Sequence, residues 1–140
     1  MVSRSLEKMM LIAVGLSSAL IIGVPVLLYA INTMTTTQQI QYAQDAAEAI
    51  FNATQQVDNG VQEEITIQLY VPAKLSMTTD ESGVTIVIIL DTGRPQPEKY
   101  ITWSESYEHQ IVDNFPTETG NYYLTFTMVS DVIHITYSLT

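Results

Sequence analysis

The stretch MMLIAVGLSSALIIGVPVLLYAI, residues 9–31, decides the architecture of this 140-residue chain. It is almost continuously apolar, and no charged residue occurs from Met9 to Gln44. A helix over residues 9–31 rises about 35 Å at about 1.5 Å per residue, which is enough to cross a hydrocarbon core of about 30 Å. We therefore predict a transmembrane helix over residues 9–31, preceded by a cytoplasmic N-terminus or leader over residues 1–8.

A cleaved secretory signal peptide is the main alternative for this segment. The apolar region of such a peptide is normally about 7 to 15 residues long and ends in a small-x-small cleavage site. The present run is longer, and the bulky Leu28 stands near its exit where a small residue would be needed. We favour a membrane helix that is retained.

Charge predicts the orientation of this helix. Of the 15 acidic and 5 basic residues in the chain, only Glu7, Arg4 and Lys8 precede the apolar run. Because Lys and Arg near the ends of a membrane helix favour the cytoplasmic side, we expect the N-terminus inside and the rest of the chain outside, at the cell surface. The acidic surplus argues against a nucleic-acid partner, since few cations are available to neutralise phosphates.

A helical period continues beyond the apolar run. Apolar and small residues follow one another at spacings of three and four, which is the seam of an amphipathic helix; they are Ile40, Ala43, Ala47, Ile50 and Val57, with Thr54 in the same series. We predict a nearly continuous helix over about residues 5–58, bent near Pro25 and ending at Asp58-Asn59-Gly60. Residues 32–59 are then an extracellular amphipathic helix whose seam packs either on the chain's own sheet or on neighbouring copies.

Small residues in the apolar run predict close packing between helices. A neighbouring helix can approach closely where side chains are small, and the candidates for such packing are Gly15, Ser18, Ala19 and Gly23, together with Pro25. The membrane and further copies of the chain are therefore the expected partners of this segment.

After Gly60 the apolar period changes from helical to alternating. Ile65, Ile67, Leu69 and Val71 alternate with polar residues, as in a half-buried strand. Further strands are predicted at Lys74 to Thr79, Val84 to Leu90, Tyr100 to Trp103, Glu108 to Phe115, and in a final hairpin turning at Ser130-Asp131. Residues 60–140 are therefore predicted to form an antiparallel β domain, a sandwich or small barrel of six to seven strands, giving an α+β protein.

Residues typical of catalysis or metal binding do not form a recognisable motif. His109 and His134 are each predicted on a strand, opposite its apolar residues, and the chain has no Cys. No phosphate-binding glycine loop or His-x-x-His pair occurs, so we expect neither an enzyme nor a bound metal or cofactor. Asn52-Ala53-Thr54 is a sequon for N-glycosylation, which makes Asn52 a candidate modification site.

The order of these parts resembles archaeal type IV pilin-like proteins, including archaellins. The resemblance comprises the short basic N-terminus, the uncharged helix that continues into an amphipathic one, and the all-β domain that follows. Within that domain it extends to the helix end Val57-Asp58-Asn59-Gly60, the strand end Val71-Pro72, the central strand Val84 to Leu90, and Thr119-Gly120-Asn121-Tyr122-Tyr123 before the last hairpin. The resemblance implies a structural subunit of a surface filament, a homo-oligomer assembled through the N-terminal helix.

The same resemblance implies processing near the N-terminus. A prepilin peptidase would cut after a basic-small pair, which Arg4-Ser5 matches, but Glu7 would then be the second mature residue. Cleavage after Val2 would instead make Glu7 the fifth mature residue. Such families commonly have glutamate at that position. A membrane-anchored β-sandwich that binds another envelope protein, as in archaellum stator proteins, is the alternative function.

Overall fold

The computed structural model describes residues 2–140, including the side chains of residues 5–17 and 20–140. Within these residues the chain forms one α-helix and seven β-strands, which confirms the predicted α+β class. The chain divides into two compact units, Met1–Thr37 and Gln38–Thr140. Helix α1, Val2–Asp58, contributes residues to both units.

The helix is continuous, which confirms the prediction of a helix over about residues 5–58. Pro25 lies inside it, with helical residues before and after. Membrane helices tolerate such a proline better than soluble helices do. The predicted bend at this position stays a prediction.

A Schellman motif ends the helix where the sequence predicted. Gly60 has a φ of 75°, a left-handed conformation that costs glycine little. Its N–H donates to the Val57 carbonyl at 3.1 Å, and the N–H of Val61 donates to the Gln56 carbonyl at 3.0 Å. These bonds satisfy carbonyls that the helix end would otherwise leave free.

Seven strands form two sheets in unit Gln38–Thr140. The four-stranded sheet has the order β1-β6-β7-β5 and the three-stranded sheet the order β2-β3-β4. The strands are β1 Glu64–Val71, β2 Leu75–Thr79, β3 Thr85–Asp91, β4 Tyr100–Ser106, β5 Gln110–Val112, β6 Gly120–Val129 and β7 Val132–Leu139. The last two form the predicted hairpin, and Ser130 and Asp131 both have positive φ, as a two-residue type I′ turn requires.

Strand β5 differs from the prediction in length and direction. It comprises only Gln110–Val112, and it pairs in parallel with β7 although an all-antiparallel domain was expected. The chain leaves the strand early because the carboxylate of Asp113 accepts hydrogen bonds from the N–H and hydroxyl of Thr79, at 2.7 and 2.9 Å. The N–H of Ile111 donates to the Gly83 carbonyl in a turn of the other sheet, so β5 links the two sheets.

The buried faces of both sheets and one face of the helix form a single core. Alternation places Ile86, Ile88 and Leu90 of β3 in this core, all at 0% exposure. Strand β6 contributes Leu124 and Phe126, also fully buried. The helix contributes the residues between 43 and 57 described below, and the domain therefore has a complete core of its own.

Candidate functional site

The apolar part of α1 is the first candidate for a functional surface. Its large hydrophobic side chains are exposed throughout the described part of residues 6–31, from 47% for Val24 to 74% for Tyr29. The helix is long and apolar enough to cross a membrane, and none of its apolar window is buried inside the protein. A continuous exposed apolar surface marks a site of contact with lipid or with another apolar surface.

Two of the predicted packing residues expose helix backbone on this surface. A Cβ added at Gly15 or Gly23 would have no atom within 4 Å apart from the helix's own backbone. Another helix could therefore approach the backbone at both positions. The side chains of Ser18 and Ala19 lie outside the described residues, and Pro25 lies two residues beyond Gly23.

The threonine-rich segment that follows satisfies its own hydroxyls. Four threonines between residues 33 and 37 each donate to the carbonyl four residues earlier, at 2.9 to 3.0 Å. Because these hydroxyls bond within the helix, burying this segment would leave none of them without a partner. The uncharged helix therefore continues past residue 31 to Thr37 with these four hydroxyls bonded.

The predicted seam faces the core of unit Gln38–Thr140. Ala43, Ala47 and Ile50 are 0% exposed, Val57 is 1% exposed, and Ile40 is half-buried against the same cluster. This cluster also contains the inward residues of both sheets. Of the two interpretations of the seam, the structure therefore shows packing on the chain's own sheets.

A buried carboxylate joins the end of the helix to the segment between β4 and β5. Asp58 accepts hydrogen bonds from the backbone N–H of Glu108 at 3.2 Å and of His109 at 3.0 Å. Nδ1 of His109 lies 2.8 Å from Oδ1 of Asp58, whose side chain is only 3% exposed. We call this group, Asp58 with the two N–H groups and the His109 ring, the Asp58 clamp.

The surroundings of the clamp shift two pKa values. Burial by itself raises the pKa of Asp58, but the hydrogen bonds from His109 and Glu108 outweigh it, and the pKa lies below its ordinary value. Burial, with Glu105 and Asp58 nearby, raises the pKa of the Tyr107 phenol well above its usual range. At neutral pH Asp58 is therefore ionised and Tyr107 is neutral, as a structural contact requires. The Tyr107 hydroxyl donates to the Phe51 carbonyl at 3.3 Å.

The clamp was not predicted from the sequence, and the prediction of His109 on a strand was wrong. Because β5 begins only at Gln110, His109 lies in the preceding loop and turns toward the helix. His134 does lie on β7, opposite the buried residues, and is half-buried. No local pattern could have linked Asp58 and His109, because they are 51 residues apart in the chain.

The residues predicted for processing and modification have separate environments. Ser5 and Glu7 are exposed on the helix, whereas the side chain of Arg4 lies outside the described residues. Asn52 is exposed, but Thr54 of the same sequon is 0% exposed and donates its hydroxyl to the Ile50 carbonyl at 2.7 Å. In the folded domain the Asn52 side chain of the sequon is therefore accessible, whereas its Thr54 is not.

A cavity of about 370 Å³ lies beside the clamp, lined by residues that include Glu63, Met128 and Asp131. Among the residues that the structure describes, no group of three or more His, Cys, Asp or Glu is placed to hold a metal ion. Asp58 and His109 are engaged with each other at the edge of this cavity. We assign no chemistry to it.

No protein-family model, curated protein or solved structure matches this chain. The resemblance to pilin-like proteins therefore remains a resemblance of sequence pattern.

Proposed function

We propose that this chain is a structural subunit of a surface filament, assembled through its N-terminal apolar helix as in archaeal type IV pilin-like proteins. The observation that carries the proposal is the apolar surface of residues 6–31, which the chain itself leaves exposed. The domain that follows has a hydrophobic core of its own, built from residues of unit Gln38–Thr140. The apolar helix is therefore available for association.

The length of the uncharged segment supports helix packing beyond simple anchoring. Residues 9–37 carry no charge, and their helix rises about 43 Å. A hydrocarbon core is only about 30 Å thick, so an anchor needs roughly 20 residues. An additional stretch whose threonine hydroxyls are already satisfied suits a helical filament core, where apolar helices contact one another over a longer distance.

Gly15 and Gly23 support the same proposal. Without a hydrophobic driving force between helices in lipid, association depends on close backbone approach, which small residues permit. The two glycines have open space around them in the single chain. Neighbouring copies would fill that space in the assembled state.

A permanently anchored surface domain that binds another envelope protein is the second candidate. It is favoured by the run of residues 9–31, which alone is long enough for one membrane span. Both candidates place residues 1–8 inside and the β domain outside, because Arg4 and Lys8 precede the helix and the acidic residues follow it. Protease added to intact cells, after removal of any surface layer, should therefore digest the β domain.

Mechanical shearing of cells separates the two functions. A filament subunit should appear in the sheared supernatant, sediment without detergent and be visible as filaments by electron microscopy. An anchored domain should instead stay with the membranes until detergent extracts it. Recovery of the chain only from detergent extracts would contradict the filament and favour the anchor.

A further inference from the structure

The residues that follow helix α1 carry a reactive pair. Asn59-Gly60 is the only asparagine–glycine pair in the sequence. Asparagine is one of the thermolabile residues, because its side-chain amide reacts with the backbone nitrogen of the residue that follows it. Glycine has no Cβ, so its nitrogen is the least hindered one that can follow an asparagine. The pair therefore has the chemistry for spontaneous deamidation.

The structure leaves both residues accessible to water. Asn59 and Gly60 are exposed at the surface of unit Gln38–Thr140. A Cβ added at Gly60 would have no atom within 4 Å apart from those of its two chain neighbours. This open space leaves room for a cyclic imide formed between the Asn59 side chain and the Gly60 nitrogen.

Three hydrogen bonds restrain this pair in the folded domain. The Gly60 N–H donates to the Val57 carbonyl at 3.1 Å. The Asn59 N–H donates to the Gln55 carbonyl at 2.9 Å, and Oδ1 of the Asn59 side chain accepts from Nε2 of Gln55 at 2.9 Å. Ring closure requires the Asn59 amide to leave Gln55 and the Gly60 nitrogen to lose its proton. The closed helix end therefore slows the reaction.

The Asp58 clamp adds to this restraint. Asp58 immediately precedes the pair, and its bonds from the N–H groups of Glu108 and His109 fix the last turn of α1 to the segment before β5. Helix ends open more readily than buried core elements. Opening of this end requires the bonds of the clamp to break as well, so the reactivity of Asn59 depends on the clamp.

We propose that Asn59 is a site of spontaneous deamidation whose rate is set by opening of the helix end. The Gly60 nitrogen forms a bond to Cγ of Asn59 and loses its proton, while the side-chain nitrogen takes up a proton and leaves as ammonia. Water then opens the cyclic imide at either carbonyl and gives aspartate or isoaspartate. Water is the only co-reactant, and the reaction occurs within a single chain, independently of the proposed function.

The reaction changes the helix end in charge and in backbone length. Either product adds a carboxylate beside Asp58 at the negative end of the helix dipole, which is unfavourable. Isoaspartate also adds a methylene to the backbone before Gly60, which disrupts the bonds that Gly60 and Val61 donate to helix carbonyls. Conversion of Asn59 should therefore loosen the junction between α1 and the β domain.

Peptide mass spectrometry of the full chain in detergent tests this site. The chain is incubated in mildly alkaline buffer, which promotes loss of the Gly60 proton, and timed samples are digested with pepsin because acid slows further conversion. The mass of the peptide shows replacement of the amide by a carboxyl group, and chromatography separates its aspartate and isoaspartate forms.

Three variants and a denatured sample measure the restraint. Asp58→Ala breaks the clamp, whereas Gln55→Ala removes the side-chain bond to Asn59 and leaves the clamp in place. Asp45→Ala, at an exposed acidic residue of the same helix, is the matched control. The native chain in denaturant gives the rate without any folded restraint.

We expect Asn59 to convert before the other asparagines, slowly in the native chain and fastest in denaturant. Asp58→Ala should accelerate conversion by about tenfold, because hydrogen bonds to a charged group no longer oppose opening. Gln55→Ala should accelerate it by a smaller factor, and Asp45→Ala should match the native chain.

Equal rates in the native and denatured chains would contradict restraint by the folded helix end. Native rates in both Asp58→Ala and Gln55→Ala would contradict it as well. Faster conversion of another asparagine, or no conversion of Asn59 in denaturant, would overturn the site itself. None of these measurements depends on whether filaments form, so the site and the proposed function fail separately.

Discussion

Asp58 closes the helix and His109 precedes β5, and the two side chains meet at 2.8 Å between Oδ1 and Nδ1. A carboxylate in the last turn of a helix is ordinarily unfavourable, because the helix dipole is negative there. In this position the hydrogen bonds from Glu108 and His109 offset that cost. The contact fixes the end of α1 to the segment that connects the two sheets.

Asp58→Ala should destabilise the domain. The substitution removes the charged acceptor of the part-buried hydrogen bonds from the N–H groups of Glu108 and His109, and a hydrogen bond to a charged group contributes about 1.5 to 3 kcal/mol. Chemical denaturation of a soluble domain of residues 35–140 measures the change. Asp45→Ala, at an exposed acidic residue of the same helix, is the control, and surface changes of this kind usually stay within about 0.5 kcal/mol. Equal effects of the two substitutions would contradict a role for the clamp.

Lowering the pH should reduce the free energy of unfolding of the native domain more than that of the Asp58→Asn variant. Because the pKa of Asp58 is lower in the folded state, its contribution to stability is complete above the unfolded value, near 3.8. That contribution is lost as the pH falls through the lower folded pKa. The difference in unfolding free energy between native and variant should therefore shrink below about pH 4. A difference that stays constant down to the acid limit would show that the carboxyl titrates alike in both states.

The sequence predicted those parts of the fold that depend on local periodicity. The spacing from Ile40 to Val57 identified the buried face of the helix, and the left-handed Gly60 was expected at its end. The direction of β5 depends instead on where the chain crosses between sheets, which no local pattern records. The Asp58–His109 contact was missed for the same reason.

Ile50→Ala should destabilise the soluble domain by about 2 to 4 kcal/mol, through lost burial and a residual cavity. Ile50 is 0% exposed and lies at the centre of the seam. Thermal melts of the domain with and without the substitution measure the effect, and Gln44→Ala on the exposed face is the control. An unchanged midpoint of thermal unfolding for Ile50→Ala would contradict packing of the seam in the domain core. It would indicate that the seam contacts neighbouring copies instead.

Gly23→Leu should block filament formation while leaving membrane insertion intact. Leucine inserts well into membranes, but its side chain would occupy the space through which a neighbouring helix approaches the backbone. Electron microscopy of sheared material, together with membrane fractionation, measures both properties. Gly23→Ala keeps a small residue and should still assemble. Normal filaments from Gly23→Leu would remove the small-residue argument.

Helical reconstruction of sheared surface material by electron cryo-microscopy tests the central claim most directly. We predict filaments in which residues 9–31 of neighbouring copies contact one another along the axis, with the β domains outside. The exposed apolar side chains of the single chain would then be buried between copies. Recovery of the chain solely as a membrane protein, with this helix surrounded by lipid and no filament present, would contradict the account.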